Sequence, residues 1–104
     1  MKPQVHMRPA AEIDLEEIAV LIARDRPRTA LRFLAAAEKT FELLSHFPRL
    51  GAIVPQVPAS RGEVRFHPIK RFKTFLAIYR PATDGVEILR VLHGRRNIGA
   101  ILDA

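Results

Sequence analysis

The sequence predicts an α+β domain in which an N-terminal strand and an antiparallel helical hairpin pack on one face of a small antiparallel sheet. Two segments with helical periodicity lie in the first half of the chain, and three segments rich in β-branched and aromatic residues lie in the second half. The chain has 104 residues, the size of one compact domain, so residues 1–104 are expected to form a single domain.

The first predicted elements are a short strand and a helix. The stretch "QVHMR" alternates apolar and polar residues, as strands do, and Pro9 then stands where a helix tolerates proline, at its first position. The apolar face predicted for this helix comprises Ala11, Leu15, Ile18 and Ile22. The stretch "RDRP" interrupts the pattern because a residue before proline is biased away from helical geometry, so Pro27 is expected to begin a second helix.

The second helix has the clearest periodicity in the chain and is expected to end near Phe47, before Pro48. Its apolar stripe comprises Ala30, Phe33, Leu34, Ala37, Phe41 and Leu44. Only a few residues connect the two helices. They are therefore expected to form an antiparallel hairpin whose apolar stripes face a common surface.

Three strands are expected to follow a loop. Residues 48–62 are rich in proline and glycine, which predicts a loop over the surface. The strands are predicted in "EVRFHPI", "FKTFLAIYR" and "VEILRVLHG", which gives the element order β-α-α-β-β-β. Asp84 and Gly85 predict a hairpin turn between the last two strands, so these should pair antiparallel. The final stretch "RRNIGAILDA" indicates a short C-terminal helix, which Gly99 disfavours.

The charge of the chain is unevenly distributed and predicts an anionic partner. The formal net charge is +6; residues 1–47 carry seven basic and seven acidic side chains, whereas residues 48–104 carry ten and four. Such a field attracts nucleic acid, an acidic protein segment or an anionic lipid surface equally well. No apolar stretch has the length of a membrane span, and the N-terminal residues lack the apolar run of a signal peptide, so a cytoplasmic location is expected.

Several kinds of chemistry lack the residues that they need. The five glycines form no Gly-x-Gly-x-x-Gly or Walker pattern, and the serines, Ser45 and Ser60, lie in no nucleophile-elbow context. The four histidines show no metal-ligand spacing, and the chain has no cysteine, so thiolate zinc sites and disulfides are excluded. We therefore expect neither a cofactor nor a metal.

Basic side chains on and around the predicted strands are the remaining candidates for a site. They are Arg65, Lys70, Arg71, Lys73, Arg80, Arg90, Arg95 and Arg96, accompanied by Tyr79 and His93. Most such charges on a sheet are simply solvated. Arg90 differs because it stands in mid-strand, on the pleat face expected for Ile88 and Leu92, where an unpaired charge is costly. It is expected to meet an acidic partner, in this chain or in another molecule.

His93, Gly94 and Tyr79 stand in or just after the last two predicted strands, and each suggests a role. His93 ends the last strand, where its imidazole can serve as a general base near neutral pH or simply pack, and no acid partner is apparent. Gly94 is expected to adopt a backbone conformation that other residues resist, and so to turn the chain out of the strand. Tyr79, the one tyrosine, stands in an apolar strand, which favours a core position over catalysis.

Four stretches resemble the RelE/ParE superfamily of type II toxin-antitoxin toxins, and most closely its ParE branch. "DLEEIAVLIARDRPRTALRFL" is similar to that branch's two helices with their D-x-P-x-x-A link, and "FPRLG" to its loop after them. "FLAIYR" and "ILRVLHGRRN" are similar to its last two strands, and "RVLHGRR" is the most specific of these matches. Asn97 departs from the pattern, because an acidic residue is more usual there.

The resemblance implies a small toxin that a cognate antitoxin silences. Such antitoxins are usually acidic, and their C-terminal segment wraps the sheet and helices of the toxin, which suits a net charge of +6. In the ParE branch the implied target is DNA gyrase, trapped so that chromosomes are broken. In the RelE branch it is messenger RNA, which is cleaved in the ribosome.

The two branches make different chemical demands on the chain. RNA cleavage by the 2′ hydroxyl needs a proton acceptor, a proton donor and cations for the phosphate. If the chain is a ribonuclease, the residues available for this are Arg65, Arg80, Arg90 and His93. No tyrosine follows "HGRR", so the acid–base set is incomplete and a gyrase poison that acts by binding is favoured. The residues expected to contact the antitoxin or the target are then Arg65, Arg80, Arg90, His93, Arg95 and Arg96. A third alternative is a non-toxic ParE-like domain that acts only with its antitoxin, in autoregulation of their operon.

Overall fold

The computed structural model describes residues 1–103; Ala104, the last residue of the predicted domain, lies outside the described residues. The elements are β1 (Gln4–Met7), α1 (Pro9–Ala23), α2 (Pro27–His46), β2 (Ala52–Ile53), a 3-10 turn (Ala59–Arg61), β3 (Arg65–Ile69), β4 (Phe72–Ala82), β5 (Gly85–His93) and α3 (Ile98–Asp103). The predicted α+β class is confirmed, with a helical pair between a first strand and the later strands. No helix in residues 1–103 is long and apolar enough to cross a membrane.

Both long helices begin at proline, as predicted. Arg8 precedes α1 with an extended backbone (φ −71°, ψ 146°), and Arg26, before Pro27, also lies outside the helical region (φ −140°, ψ 78°). Proline suits this position because the first N–H of a helix has no partner within the helix. The boundaries of the helical hairpin are therefore encoded locally.

The five strands form one mixed sheet in the order β1-β5-β4-β3-β2. The pairs among β3, β4 and β5 are antiparallel, as expected, and β2, a strand that was not predicted, is antiparallel to β3. β1 lies parallel to β5, with Val5 opposite Val86 and Met7 opposite Ile88. The sheet is thus not purely antiparallel. Parallel neighbours need a crossover connection, and the chain between β1 and β5 supplies it.

The helical hairpin packs on one side of the sheet, which we call the helix face. The core here is formed by Phe33, Ala37, Phe41 and Leu44 of α2 with Ala77, Tyr79, Val86, Ile88 and Val91 of the strands. Each large apolar side chain buried in this way contributes about 1.5–3 kcal/mol of stabilisation. The stripe predicted for α2 therefore meets the sheet, except for Leu34, which is exposed.

A smaller core covers the opposite side of the sheet, the α3 face. Its buried residues are Val54, Val64, Ile78, Leu89 and Leu92, against which Ile98, Ile101 and Leu102 of the C-terminal segment pack. The expected loop over residues 48–62 contains β2 and the 3-10 turn, and Val54 within it is only 2% exposed. This segment is part of the second core, because its few apolar residues pack inward. Its prolines and glycines determine the course of the backbone between them.

A bulge in β5 alters the expected pleat of that strand. Tyr79 pairs with Ile88 but Ile78 pairs with Arg90, so Leu89 is an extra residue on β5. Ile88 consequently belongs to the core of the helix face, whereas Leu92 and the cross-strand partner of Arg90 belong to the core of the α3 face. The prediction that Arg90 shares a pleat face with Ile88 is therefore wrong.

Candidate functional site

Arg90 forms a two-point ion pair with Asp14 at the edge of β5. Its Nε donates to Asp14 Oδ2 at 2.7 Å and its Nη2 donates to Oδ1 at 2.9 Å. Because β1 ends at Met7, opposite Ile88, β5 continues beyond it without a neighbour on that side, and Asp14 Oδ2 accepts the N–H of Val91 at 2.9 Å. The hydrogen bonds to Asp14 are the main reason that the pKa of Arg90 is raised. The predicted acidic partner exists and lies within the chain.

A groove on the α3 face holds four arginines around an apolar floor. The cavity is about 230 Å³ and is lined by Arg8, Arg61, Arg80 and Arg90 and, among apolar residues, Val57, Val64, Leu89, Ile101 and Leu102. Glu87 lies 3.2 Å from Arg80 Nε and 3.5 Å from Arg8 Nη1. The first of these pairs is electrostatic only, because Arg80 Nε has no partner with hydrogen-bond geometry among the described residues. Carboxylates of the same chain thus offset much of the charge in this groove.

Arg65 and Tyr79 anchor the loop that follows α2. Arg65 Nη1 donates to the carbonyl of Gly51 at 2.6 Å, and the Tyr79 hydroxyl donates to the carbonyl of Pro48 at 2.8 Å while accepting the N–H of Gly51 at 2.8 Å. A Cβ on Gly51 would lie 2.6 Å from both the Tyr79 hydroxyl and a strand carbonyl, so no larger residue fits. The predicted contact residue Arg65 therefore has a structural role in this chain.

The pKa values of Tyr79 and Glu63 are shifted by the contacts around this loop. Burial raises the pKa of Tyr79 and is the largest effect on it. The hydrogen bond from the Gly51 N–H lowers this pKa, but by less. The hydrogen bond from Arg65 lowers the pKa of Glu63, next to which the guanidinium lies. Tyr79 is fully buried, as its apolar strand predicted.

His93 lies on the helix face, away from the arginine groove. It pairs across the sheet with Phe75, and the two rings meet edge to face with centroids 5.7 Å apart. Its Nδ1 accepts the N–H of Arg95 at 3.1 Å, which leaves Nε2 for the proton of the neutral ring. Arg80 and Arg90, by contrast, line the groove on the α3 face. The four residues available for RNA cleavage are thus divided between two faces of the sheet.

A second basic surface, the basic end, lies where the β3–β4 turn meets the end of β5. Gly94 donates its N–H to the carbonyl of Thr74 at 2.7 Å, which brings the segment after β5 beside the start of β4. The basic end comprises Lys70, Arg71, Lys73, Arg95 and Arg96, all of them exposed. Among the side chains that the structure describes, none of these five cations has a carboxylate within ion-pair distance. This is the least compensated charge on the sheet.

Three members of the basic end were not among the predicted contact residues, although each had been noted as basic. Lys70 and Arg71 form the two-residue turn between Ile69 and Phe72, and Arg71 adopts a left-handed backbone with φ of 70°. The tight turn of the β3–β4 hairpin and the β4–β5 pairing together bring them near Arg95. The sequence shows basic residues in both segments, but their proximity depends on the strand register.

The described residues also bear on whether the chain could hold a metal ion. Among the described residues, no group of three or more histidine, aspartate or glutamate side chains could hold a metal ion. The groove and the basic end both present cations to a partner, and like charges crowded within one Debye length, about 10 Å, raise the local potential for anions. The arginine groove and the basic end are therefore suited to bind an anionic partner.

Comparisons with known proteins agree with this architecture. A family model described as "ParE toxin of type II toxin-antitoxin system, parDE" matches residues 5–98. A solved structure described as "Chromosomal ParDE TA system from P. aeruginosa" contains a chain of 23% identity that superposes with a TM-score of 0.71 over 88% of this chain and 96% of that one. At this identity the structural likeness shows the fold. No curated protein sequence gives a significant match.

Proposed function

Since this chain belongs to the ParE toxin family of type II toxin-antitoxin systems, we propose that it inhibits DNA gyrase by binding and is neutralised by a cognate antitoxin. The family match spans residues 5–98, which include most of β1, both long helices, the four arginines of the groove and the basic end. On this proposal the protein acts in the cytoplasm, where its target and its antitoxin are found.

The observation that carries binding over catalysis is the separation of His93 from the arginines. A ribonuclease needs a proton acceptor within hydrogen-bond reach of the 2′ hydroxyl and cations at the same phosphate. His93 packs on Phe75 on the helix face, whereas Arg80 and Arg90 lie in the groove on the α3 face. Arg65 and Arg90 are moreover engaged by Gly51 and Asp14. This division supports a mechanism that requires contact alone.

The basic end supports an acidic antitoxin as the partner. Five exposed cations without carboxylates nearby attract an anionic segment over a distance, and complementary charge speeds association more than it raises affinity. On this proposal the antitoxin covers a surface that would otherwise retain a high positive potential. Salt should slow the association, since exposed charges are screened.

Gyrase assays with the purified protein test the proposed target. We expect the protein to inhibit supercoiling of relaxed plasmid by purified gyrase, and its expression alone in bacteria to arrest growth with filamentous cells. The protein encoded by the adjacent reading frame should restore both supercoiling and growth. Normal supercoiling together with cleavage of ribosome-bound messenger RNA would contradict the gyrase proposal and support a ribosome-dependent ribonuclease. Unimpaired growth would support a non-toxic domain that acts only in regulation of its operon.

A further inference from the structure

The outer edge of β1 has backbone groups that no strand of this chain pairs with. β1 is the last strand on its side of the described sheet. Gln4 donates its N–H to Asp84 and Arg8 donates its N–H to Ile88, so these alternate residues face inward, towards β5. Since inward and outward groups alternate along a strand, the N–H and C=O groups of Val5 and Met7 point away from the sheet. They form a template for another strand.

An apolar groove accompanies this edge on the helix face. Its volume is about 550 Å³, and it lies between β1 and the helices, with Val5, Met7, Leu15 and Phe41 among its lining residues. In an added strand every second side chain would point to the helix face, as those of Val5 and Met7 do. The edge thus supplies main-chain hydrogen bonds, and the groove supplies a pocket for side chains.

The charges around this groove differ in sign from those of the basic end. Its acidic residues are Glu12 from α1 and Glu38 and Glu42 from α2, and its one cation is Lys2. All three glutamates are exposed. A segment that enters this groove is therefore favoured when it carries arginine or lysine beside its apolar residues.

Two prolines limit the length of the edge. Pro3 precedes β1, and Pro9 begins α1 immediately after it, so only the backbone between them is available for pairing. Proline has no N–H to donate, and the chain beyond Pro9 is helical. A partner strand can therefore pair over only about four or five residues.

We propose that the cognate antitoxin adds a short extended segment to β1, with alternate apolar side chains in the groove and a basic residue facing Glu38 and Glu42. This inference rests on the proposed function, since it takes the antitoxin as the partner. It predicts a locally basic strand within an otherwise acidic antitoxin, whose acidic part is left for the basic end. The two surfaces together would fix the direction of the antitoxin along the toxin.

Amide hydrogen exchange measured by NMR tests the pairing residue by residue. The probe is the purified protein encoded by the reading frame adjacent to the gene of this chain. On binding we expect the amides of Val5 and Met7 to become protected, whereas that of His6, which already faces β5, should change little. Complex formation without this protection would overturn the strand addition alone. Absence of any complex would overturn the proposed antitoxin as well, and protection without the probe at high protein concentration would indicate a second copy instead.

Two sets of variants separate backbone pairing from charge. Val5→Pro with Met7→Pro removes the two outward donors but leaves the inward bonds, and should weaken binding about tenfold, as the loss of two hydrogen bonds implies. Glu38→Lys with Glu42→Lys leaves the strand intact and should weaken binding to a similar degree. The matched control, Glu16→Lys on α1 with Asp25→Lys in the turn after it, makes the same charge change outside the groove and should bind normally. Equal loss in the control, or full affinity in the other two variants, would contradict the proposal.

Discussion

At the scale of single residues, long-range contacts decide roles that the sequence only constrains. Arg90 stands among apolar residues in mid-strand, so its need for a carboxylate was predictable. That Asp14 supplies it was not, because this depends on β1 ending opposite Ile88 and on α1 starting just beyond. Tyr79 was likewise predictable as a core residue, whereas its two hydrogen bonds depend on the path of a loop far away in sequence.

Arg90→Ala should destabilise the fold without altering its architecture. The change leaves the Asp14 carboxylate, whose side chain is 9% exposed, with a single hydrogen bond from Val91. Loss of hydrogen bonds to a buried charge costs about 2 kcal/mol, which urea denaturation followed by circular dichroism would measure. Arg95→Ala, at an exposed residue of the basic end, is the control and should leave the urea midpoint in place. Equal midpoints for Arg90→Ala and the wild type would show that the ion pair adds nothing to stability.

Tyr79→Phe should reduce stability at neutral pH, by an amount that shrinks in alkali. Removing the hydroxyl leaves the buried partners on Pro48 and Gly51 unpaired, which costs about 1–3 kcal/mol. Burial raises the folded-state pKa of Tyr79 above its ordinary value of 10.0. The neutral phenol therefore contributes stability that is complete below the unfolded pKa and is lost as the pH rises through the folded pKa.

The alkaline measurement is specific because the chain has one tyrosine and no tryptophan. The ultraviolet absorbance of tyrosinate reports Tyr79 alone, and it should show a pKa above that of a free tyrosine. Denaturation of both proteins across this range should show the stability difference narrowing from about pH 10 upward. A constant difference would mean that the pKa of Tyr79 is the same in the folded and the unfolded state, against the expected effect of burial.

At the scale of elements, local sequence determined the helices better than the sheet. Pro9 and Pro27 mark both helix starts within the sequence itself, and the structure agrees. The parallel pairing of β1 with β5 joins residues about eighty positions apart, and no local pattern encodes it. The strand β2 has only two residues within a stretch rich in proline and glycine, which is too short for a recognisable alternation.

Gly85→Ala should detach or distort β1, whereas Gly94→Ala should be tolerated. A Cβ on Gly85 would lie 1.9 Å from the carbonyl oxygen of Gln4, and its φ of 153° is unusual for other residues. A Cβ on Gly94 would meet nothing closer than the Thr74 carbonyl at 3.5 Å, and its φ is not positive, so the special backbone predicted there is wrong. We expect Gly85→Ala to cost about 2–3 kcal/mol, and Gly94→Ala less than about 0.5 kcal/mol. Thermal unfolding would measure the stability of both variants. Similar losses of stability in both would show that the close contact at Gly85 does not require glycine.

At the scale of the whole molecule, the charge asymmetry seen in the sequence becomes two different surfaces. The second half of the chain carries the entire formal charge of +6, and this much was evident from composition. The structure divides that charge between a groove whose arginines meet Glu87 and Asp14 and the uncompensated basic end. Sequence alone could not make this division, because each ion pair in the groove joins elements that are distant or face each other only in the folded sheet.

Charge reversal at the basic end should slow association with an acidic antitoxin. Arg95→Glu with Arg96→Glu is compared with Arg28→Glu with Arg32→Glu, two exposed arginines on α2, so that both variants carry the same net charge. Steering depends on where charge lies, so we expect the association rate constant at low salt to fall about tenfold for the first variant and much less for the second.

Added salt should make the association rates of the wild type and the two variants more alike, because exposed charges are screened within about 10 Å at 0.1 M ionic strength. Stopped-flow mixing over a series of salt concentrations would measure all three proteins, and dissociation should change little. An equal decrease in both variants would mean that net charge steers the antitoxin wherever it lies. A decrease confined to Arg95 and Arg96 would instead locate the encounter at the end of the sheet, where the last strand meets the β3–β4 turn.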